Sequence, residues 1–151
     1  METPIAMQSL VLGNLLARHA RYRPRHTAVV APRAADGREI RLSWREFDTY
    51  VNRAANALAS LGVARGDRVA TVLANSLELL ATYWACAKLG AAAMPLSPLL
   101  TANGLAALLA EAPPKAVLAA SDQMEMLEHV RKRLPFNPAW VLVDAKADEV
   151  A

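Results

Sequence analysis

Polar side chains follow four of the predicted strands, at the positions where an α/β protein most often binds a ligand. They are Asn75, Ser97, Ser121 and Asp144. Ligands of parallel sheets bind at the carboxyl ends of the strands, so these are the side chains best placed to hold a small polar molecule. The same residue types are preferred at helix N-termini and turns, and we favour that structural role for each of them. The sequence therefore indicates a ligand-binding edge but assigns no catalytic, cofactor-binding or metal-binding residue.

Cysteine and histidine, the usual residues of nucleophilic and metal chemistry, are few. The single cysteine, Cys86, falls in an apolar predicted helix, where burial raises a thiol pKa and hides the sulfur. A lone cysteine excludes a disulfide framework and favours a reducing compartment, which we expect to be the cytoplasm. His19, His26 and His129 have no cysteine or acidic residue at metal-ligand spacing. We therefore predict neither a reactive thiol nor a metal site.

Glycine-rich phosphate loops are absent from the sequence. Neither GxGxxG nor GxxxxGK[ST] occurs, the last glycine is Gly104, and Gly62 and Gly66 precede a predicted strand instead of following one. A loop that surrounds phosphate with backbone N–H groups needs glycine to reach the required dihedral angles. We therefore expect this chain to bind no nucleotide by itself.

Composition is typical of one globular unit. The chain has 151 residues, 54% of them hydrophobic, and a formal net charge of +3. Its arginines are scattered over predicted loops and solvent faces, which argues against nucleic-acid binding. Lys88 and Pro95 interrupt the longest apolar run, so no membrane span is expected, and the N-terminus lacks the basic region of a secretory signal.

The elements that would position these residues are clearest between Gly66 and Leu100. This stretch predicts a strand at Arg68–Leu73, a mostly buried helix at Leu77–Leu89 and a second buried strand at Ala91–Leu96. A crossover of this length between two buried strands predicts a βαβ unit with parallel strands.

Residues at the ends of these elements support the assignment. Asn75 and Glu78 resemble a capping pair at the start of the helix. Gly90 stands where a left-handed C-cap is needed, and Pro95 and Pro98 are expected to end the second strand.

Alternating strands and helices are predicted along the rest of the chain. Ser43 and Glu46 form a full capping box, Asp36-Gly37 is a hairpin turn signal, and the helix faces expected in the core include Leu61, Leu108 and Met124. The further helices are expected at Val11–Arg23, from Ser43 to Gly62, from Thr101 to Pro113 and from Ser121 to Leu134, and the further strands at Thr27–Ala31, Glu39–Leu42, Ala116–Ala120 and Trp140–Val143. The predicted fold over residues 1–151 is a single three-layer α/β unit, a mostly parallel sheet with helices on both faces.

Several segments together resemble the adenylate-forming acyl-CoA synthetases. They are LSWREF (Leu42–Phe47), GDRVATVLANSLELL (Gly66–Leu80), AKLGAAAMPLSPLLT (Ala87–Thr101) and the earlier NLLARHARYRPRHTAVV (Asn14–Val30). The resemblance covers nearly the whole chain. It implies a parent enzyme that uses ATP and Mg²⁺ to convert a carboxylic or fatty acid into an acyl-adenylate, and then transfers the acyl group to CoA.

The family's phosphate loop, adenine-binding and Mg²⁺-binding elements and C-terminal catalytic lysine have no counterpart in this sequence. The resemblance therefore implies the N-terminal subdomain of the synthetase large domain, a scaffold whose partner is the remainder of the same enzyme chain and which is inert alone.

Two other functions fit the same residues. A free-standing α/β interaction module, derived from this scaffold without catalysis, predicts a homodimer that hides an apolar face. A flavodoxin-like small-ligand domain would need anion-binding loops after its strands, which SPLLT and ASDQM supply poorly.

Overall fold

Alternating helices and strands make up the chain, as the sequence predicts. The structure is a computed structural model that describes residues 12–33 and 35–144. The expected helix start at Val11 lies outside the described residues, as do the residues after Asp144. The elements are α1 (Leu12–Tyr22), β1 (Thr27–Pro32), β2 (Glu39–Ser43), α2 (Trp44–Ser60), β3 (Arg68–Val72), α3 (Leu77–Leu89), β4 (Ala92–Leu96), α4 (Ala102–Glu111), β5 (Ala116–Ala119), a 3₁₀ turn (Ser121–Gln123), α5 (Met124–Arg131) and β6 (Ala139–Leu142).

Four strands form a parallel sheet in the order β4-β3-β5-β6. Val69 at the centre of this sheet pairs with Ala93 of β4 on one side and with Ala116 of β5 on the other. Strands β1 and β2 form a separate antiparallel hairpin, with Gly37 in the left-handed region at its turn. The predicted βαβ unit and the predicted hairpin are both confirmed.

Helices cover both faces of the sheet. Val69 of β3 and Leu73 just after it pack into the core formed with α1, α2 and α3, whereas Ala70 and Val72 pack into the core formed with α4 and α5. Successive side chains of a strand point to opposite faces, so one strand serves both cores. The expected three-layer α/β fold is confirmed.

Local capping signals are also confirmed. The Ser43 backbone N–H donates to Glu46 Oε2 at 2.8 Å and the Glu46 backbone N–H donates to Ser43 Oγ at 3.4 Å, which completes the capping box of α2. Thr101 Oγ1 accepts from the Gly104 backbone N–H at the start of α4. Gly90 ends α3 with φ of 70°, the left-handed conformation that a C-cap glycine supplies.

The cap of α3 was predicted at the wrong residue. Ser76, one position after Asn75, has the extended N-cap conformation, and its hydroxyl accepts from the Leu79 backbone N–H at 3.2 Å. Both residue types cap helices well, so the choice between neighbours depends on where the loop leaves β3. Glu78 then lies in the first turn of α3 and is buried, with 8% of its surface exposed.

Strand β4 ends at Leu96, as predicted, but the expectations that it is buried and that Pro95 helps to end it were wrong. Pro95 lies within β4, opposite Thr71, and the strand continues to Leu96. Because β4 is an edge strand of the sheet, it is only partly buried and tolerates a residue without an N–H group.

Three residues expected in the core are exposed instead. Leu61 and Leu108 are each 40% exposed, and Met124 is 44% exposed. Leu61 follows the last residue of α2, and Met124 follows the 3₁₀ turn, which shifts the phase of the helical face. Periodicity identifies the apolar side of a helix, but the extent of the neighbouring layer decides how far along that side is covered.

Candidate functional site

A crevice lies at the carboxyl ends of β3 and β5, between the two central strands of the sheet. The helix after β3 packs on one face of the sheet and the helix after β5 packs on the other, so the chain connections diverge at this point. Such a divergence leaves an open space in which ligands of α/β sheets bind. The crevice has a volume of about 400 Å³.

The loops after three strands and the β1-β2 hairpin line the crevice. Asn75 and Ser76 follow β3, Leu99 follows β4, and Asp122 lies in the 3₁₀ turn after β5. Arg33 and Gly37 of the hairpin close it from above the sheet edge. The crevice therefore has a mixed polar and apolar lining, and Arg33 is the basic side chain in that lining.

Asn75 is the one sequence-predicted site residue that lines this crevice. Its side chain does not provide the α3 cap, because Ser76 does. Ser97 has the turn role that we favoured, since its hydroxyl accepts from the Leu99 backbone N–H at 3.2 Å.

Ser121 and Asp144 are brought together by the fold. The Ser121 backbone N–H donates to Asp144 Oδ1 at 2.7 Å, and the Ser121 hydroxyl donates to Asp144 Oδ2 at 2.9 Å. The pair joins the carboxyl ends of β5 and β6, so both side chains have a structural role. The four predicted side chains therefore do not form one polar cluster.

Arg33 is the cationic crevice residue that sequence reasoning missed. Its guanidinium donates to both carboxylate oxygens of Asp36, Nε at 3.2 Å and Nη2 at 2.5 Å. These hydrogen bonds, together with one from the Arg38 backbone N–H, lower the pKa of Asp36 below its ordinary value. The arginine charge is thus largely offset within the hairpin, and no sequence signal placed this hairpin over the edge of the parallel sheet.

Polar residues of α3 contact α2. Lys88 Nζ lies 2.6 Å from Asp48 Oδ1 and 2.6 Å from Asn52 Oδ1. The first contact is an ion pair and the second a hydrogen bond, and together they join α3 to α2. Near the other end of α3, burial and the nearby carboxylate of Glu78 raise the pKa of Tyr50. Lys88 and Glu78 of α3 therefore both face α2.

A second, apolar cleft of about 420 Å³ lies between α2 and the strands β5 and β6. We call it the α2 cleft. The α2 side chains Ala54, Ala57, Leu58 and Leu61 form one wall, and strand side chains including Leu118 form the floor.

The structure shows the surroundings of the cysteine and of His19. Cys86 is fully buried, and burial raises the pKa of its thiol to about 11. His19 stacks on Trp44 with ring centroids 4.5 Å apart, which is a packing contact. Within residues 12–33 and 35–144, three or more His, Cys, Asp or Glu side chains do not meet in a metal-binding group. No helix in that part of the chain is long and apolar enough to cross a membrane.

Comparison with known proteins then identifies the family. Residues 16–150 match the family described as AMP-binding enzyme. The chain belongs to this family. The AMP-binding relatives include Long-chain-fatty-acid--CoA ligase FadD13 of Mycobacterium tuberculosis, 31% identical over 144 residues, covering 92% of this chain and 27% of the relative. Indoleacetate--CoA ligase of Aromatoleum aromaticum is 36% identical over 123 residues, covering 82% of this chain and 23% of that relative.

A solved structure of the AMP-binding family shares the fold. The N-terminal domain of FACL13 from Mycobacterium tuberculosis superposes with a TM-score of 0.76 at 28% identity, covering 93% of this chain and 38% of that one. The matched region is the N-terminal part of the acyl-CoA ligases. The chain thus spans about a quarter of the length of the curated AMP-binding relatives named above.

Proposed function

We propose that this chain is the N-terminal scaffold of an ATP-dependent acyl-CoA synthetase. In the whole enzyme a carboxylic or fatty acid is activated to an acyl-adenylate with ATP and Mg²⁺ and then transferred to CoA. The remainder of the enzyme chain is its partner, and the cytoplasm is its compartment. The chain itself supplies one wall of the large domain and binds none of these cofactors alone.

The match of residues 16–150 to AMP-binding enzymes, over only about a quarter of the relatives' length, carries the proposal. The two curated relatives named above are both CoA ligases, which favours acyl-CoA formation over other adenylate chemistry. The proposal that the chain is catalytically inert by itself rests on its sequence. Adenylyl transfer depends on positioned phosphate contacts, and this chain has no glycine-rich loop to supply them.

A free-standing interaction module is the second candidate. It is favoured by apolar side chains that remain on the surface, including Leu61 at the α2 cleft and Leu99, which is 91% exposed. Such a module would form a homodimer that covers these residues. Light scattering coupled to size-exclusion chromatography separates the candidates, because the scaffold alone is expected to run as a monomer.

Calorimetric titration with MgATP tests the scaffold proposal. Residues 1–151 are expected to show no saturable binding, whereas full-length FadD13, titrated identically, reports whether the conditions suit a ligase of this family. Saturable binding of ATP at micromolar concentration, or formation of an acyl-adenylate by the chain alone, would refute inertness. Co-expression with the part of FadD13 beyond its matched region tests the rest of the proposal. Acyl-CoA formation is expected only when both parts are present.

A further inference from the structure

We propose that a basic surface at the junction of α1 and α2 binds anionic membranes. We call this surface the α1 patch, and it consists of Arg18, Arg21, Arg23, Arg25 and Arg45. The inference goes beyond the proposed function and does not depend on it, because it concerns where the protein is held and not which reaction the whole enzyme performs.

The fold brings together arginines that are scattered in the sequence. Arg18 and Arg21 are three residues apart in α1, so they lie on one side of that helix. The opposite side of α1, which includes Leu16, is buried in the core. The turn that carries the next two arginines joins the start of α2, since the Arg45 backbone N–H donates to the Pro24 carbonyl oxygen at 3.2 Å. All five arginines are exposed, and together they cover one corner of the molecule.

Carboxylates do not neutralise the charge of the α1 patch. Residues 12–33 contain no aspartate or glutamate. The next acids along the chain have other partners, which are Arg33 for Asp36, Arg41 for Glu39, Ser43 for Glu46 and Lys88 for Asp48. Within the described residues, no arginine of the patch forms an ion pair. The patch is therefore a strongly positive region that attracts a negatively charged surface.

An anionic bilayer fits the α1 patch better than a nucleic acid does. Tyr22 is 69% exposed between two of the arginines, and the Arg21 guanidinium lies 5.9 Å from the centre of its ring. Tyrosine and arginine place an apolar body at a lipid interface and keep a polar end in water. Nucleic acids are bound by elements that enter a groove or by channels lined with aromatic rings. The helix α1 is instead packed on α2 and α3 and presents a convex surface.

Co-sedimentation with lipid vesicles tests the proposal. The chain is mixed with vesicles of phosphatidylcholine alone, or of phosphatidylcholine with phosphatidylglycerol, at two ionic strengths. The Debye length is about 30 Å at 0.01 M and about 8 Å at 0.15 M, so electrostatic binding weakens between them. We expect the chain to bind the vesicles that contain phosphatidylglycerol, to bind them less at the higher ionic strength, and to leave phosphatidylcholine vesicles largely unbound.

Two double variants with equal changes in charge locate the binding surface. Arg18→Gln with Arg21→Gln removes two charges from the α1 patch. Each arginine near an anionic bilayer contributes roughly fivefold to binding, so this variant should bind about 25-fold more weakly. Arg131→Gln with Lys132→Gln removes two charges at the end of α5, in the other helix layer, and should change binding much less. All four side chains are exposed, so circular dichroism should show both variants folded.

Several outcomes would overturn the inference. Equal binding to both kinds of vesicle, binding to neither, or equal losses in the two double variants would remove the α1 patch as a membrane-binding surface. Tighter binding to double-stranded DNA than to vesicles, lost with Arg18→Gln and Arg21→Gln, would assign the patch to nucleic acid instead. Each of these results would leave the proposed function intact, because that proposal is tested by nucleotide binding and acyl-CoA formation.

Discussion

Replacing glycine by alanine is expected to change the stability of the chain in opposite directions at two helical positions, Gly13 and Gly104. Gly13 lies in α1 where that helix crosses α3, and a Cβ added there would stand 2.9 Å from the Ala87 carbonyl oxygen and 3.0 Å from Lys88 Cα. Both neighbours are backbone atoms, so α1 itself must shift. Gly104 lies in the first turn of α4, where an added Cβ would meet Thr101 Oγ1 at 3.4 Å, an ordinary contact.

The expected free energies follow from these distances. Replacing a helical glycine by alanine stabilises a helix by roughly 0.5–1 kcal/mol, and the lower value is apt for both sites because they lie near helix N-termini. Overpacking at Gly13 opposes this gain by about 1–3 kcal/mol. Gly13→Ala should therefore destabilise the chain by about 1–2 kcal/mol. Gly104→Ala should stabilise it by about 0.5 kcal/mol.

Urea denaturation followed by circular dichroism measures both variants against the unmodified chain. For a chain of this size, 1 kcal/mol corresponds to about 2–4 °C in Tm, so thermal melting gives an independent check. The slope of unfolding free energy against urea should stay constant if only native packing has changed. Equal or greater stability of Gly13→Ala, or shifts of both variants in the same direction, would refute the close approach of α1 to α3.

Two further predictions concern polar contacts of α2. Lys88→Met should lower the free energy of unfolding by about 2 kcal/mol, because it removes the charge partner of Asp48 where the two side chains are only 16% and 18% exposed. Adding Asp48→Leu should recover at least half of that loss in urea titrations, and a double variant as unstable as Lys88→Met would contradict this account. Ser43→Ala should cost about 1 kcal/mol, through loss of the α2 cap, with Thr49→Ala as a control on the same helix. Hydrogen bonds from Ser43 lower the pKa of Glu46 in the folded chain, so they stabilise the fold when Glu46 is ionised. This stabilisation is complete above the ordinary glutamate pKa and is lost as the pH falls through the lowered pKa of the folded chain. The stability difference between Ser43→Ala and the unmodified chain should therefore narrow on acidification, and a difference independent of pH would contradict the assignment.

Local signals in the sequence predicted most of the fold. Ser43 and Glu46 cap α2 as expected, Gly90 ends α3 in the left-handed conformation, and Asp36-Gly37 turns the hairpin. Each signal acts within a few residues, since a side chain satisfies a nearby backbone group or a glycine permits a positive φ. The alternation of strands and helices then leaves few topologies, and the three-layer sheet follows from it.

The candidate site was less predictable. Of the four side chains predicted at strand ends, Asn75 lines the crevice, Ser97 serves a turn, and Ser121 bonds to Asp144. These residue types suit both ligand binding and a role in a cap or turn, and the distances between loops decided which of the two each residue has. Arg33 entered the crevice because the hairpin lies over the sheet edge, a placement with no local sequence signal.

By itself, the sequence determined where helices and strands form, how most of them are capped and which family the chain resembles, because these properties depend on neighbouring residues and on ordered motifs. Only the tertiary structure decided that β4 is an edge strand, that Lys88 pairs with Asp48 and that β6 and α2 leave an open apolar cleft. Lys88 and Asp48 are 40 residues apart, and the cleft joins residues of a helix and strands that are further apart still. Such contacts depend on how whole layers pack, and a pattern of period two or 3.6 along the chain does not carry that information.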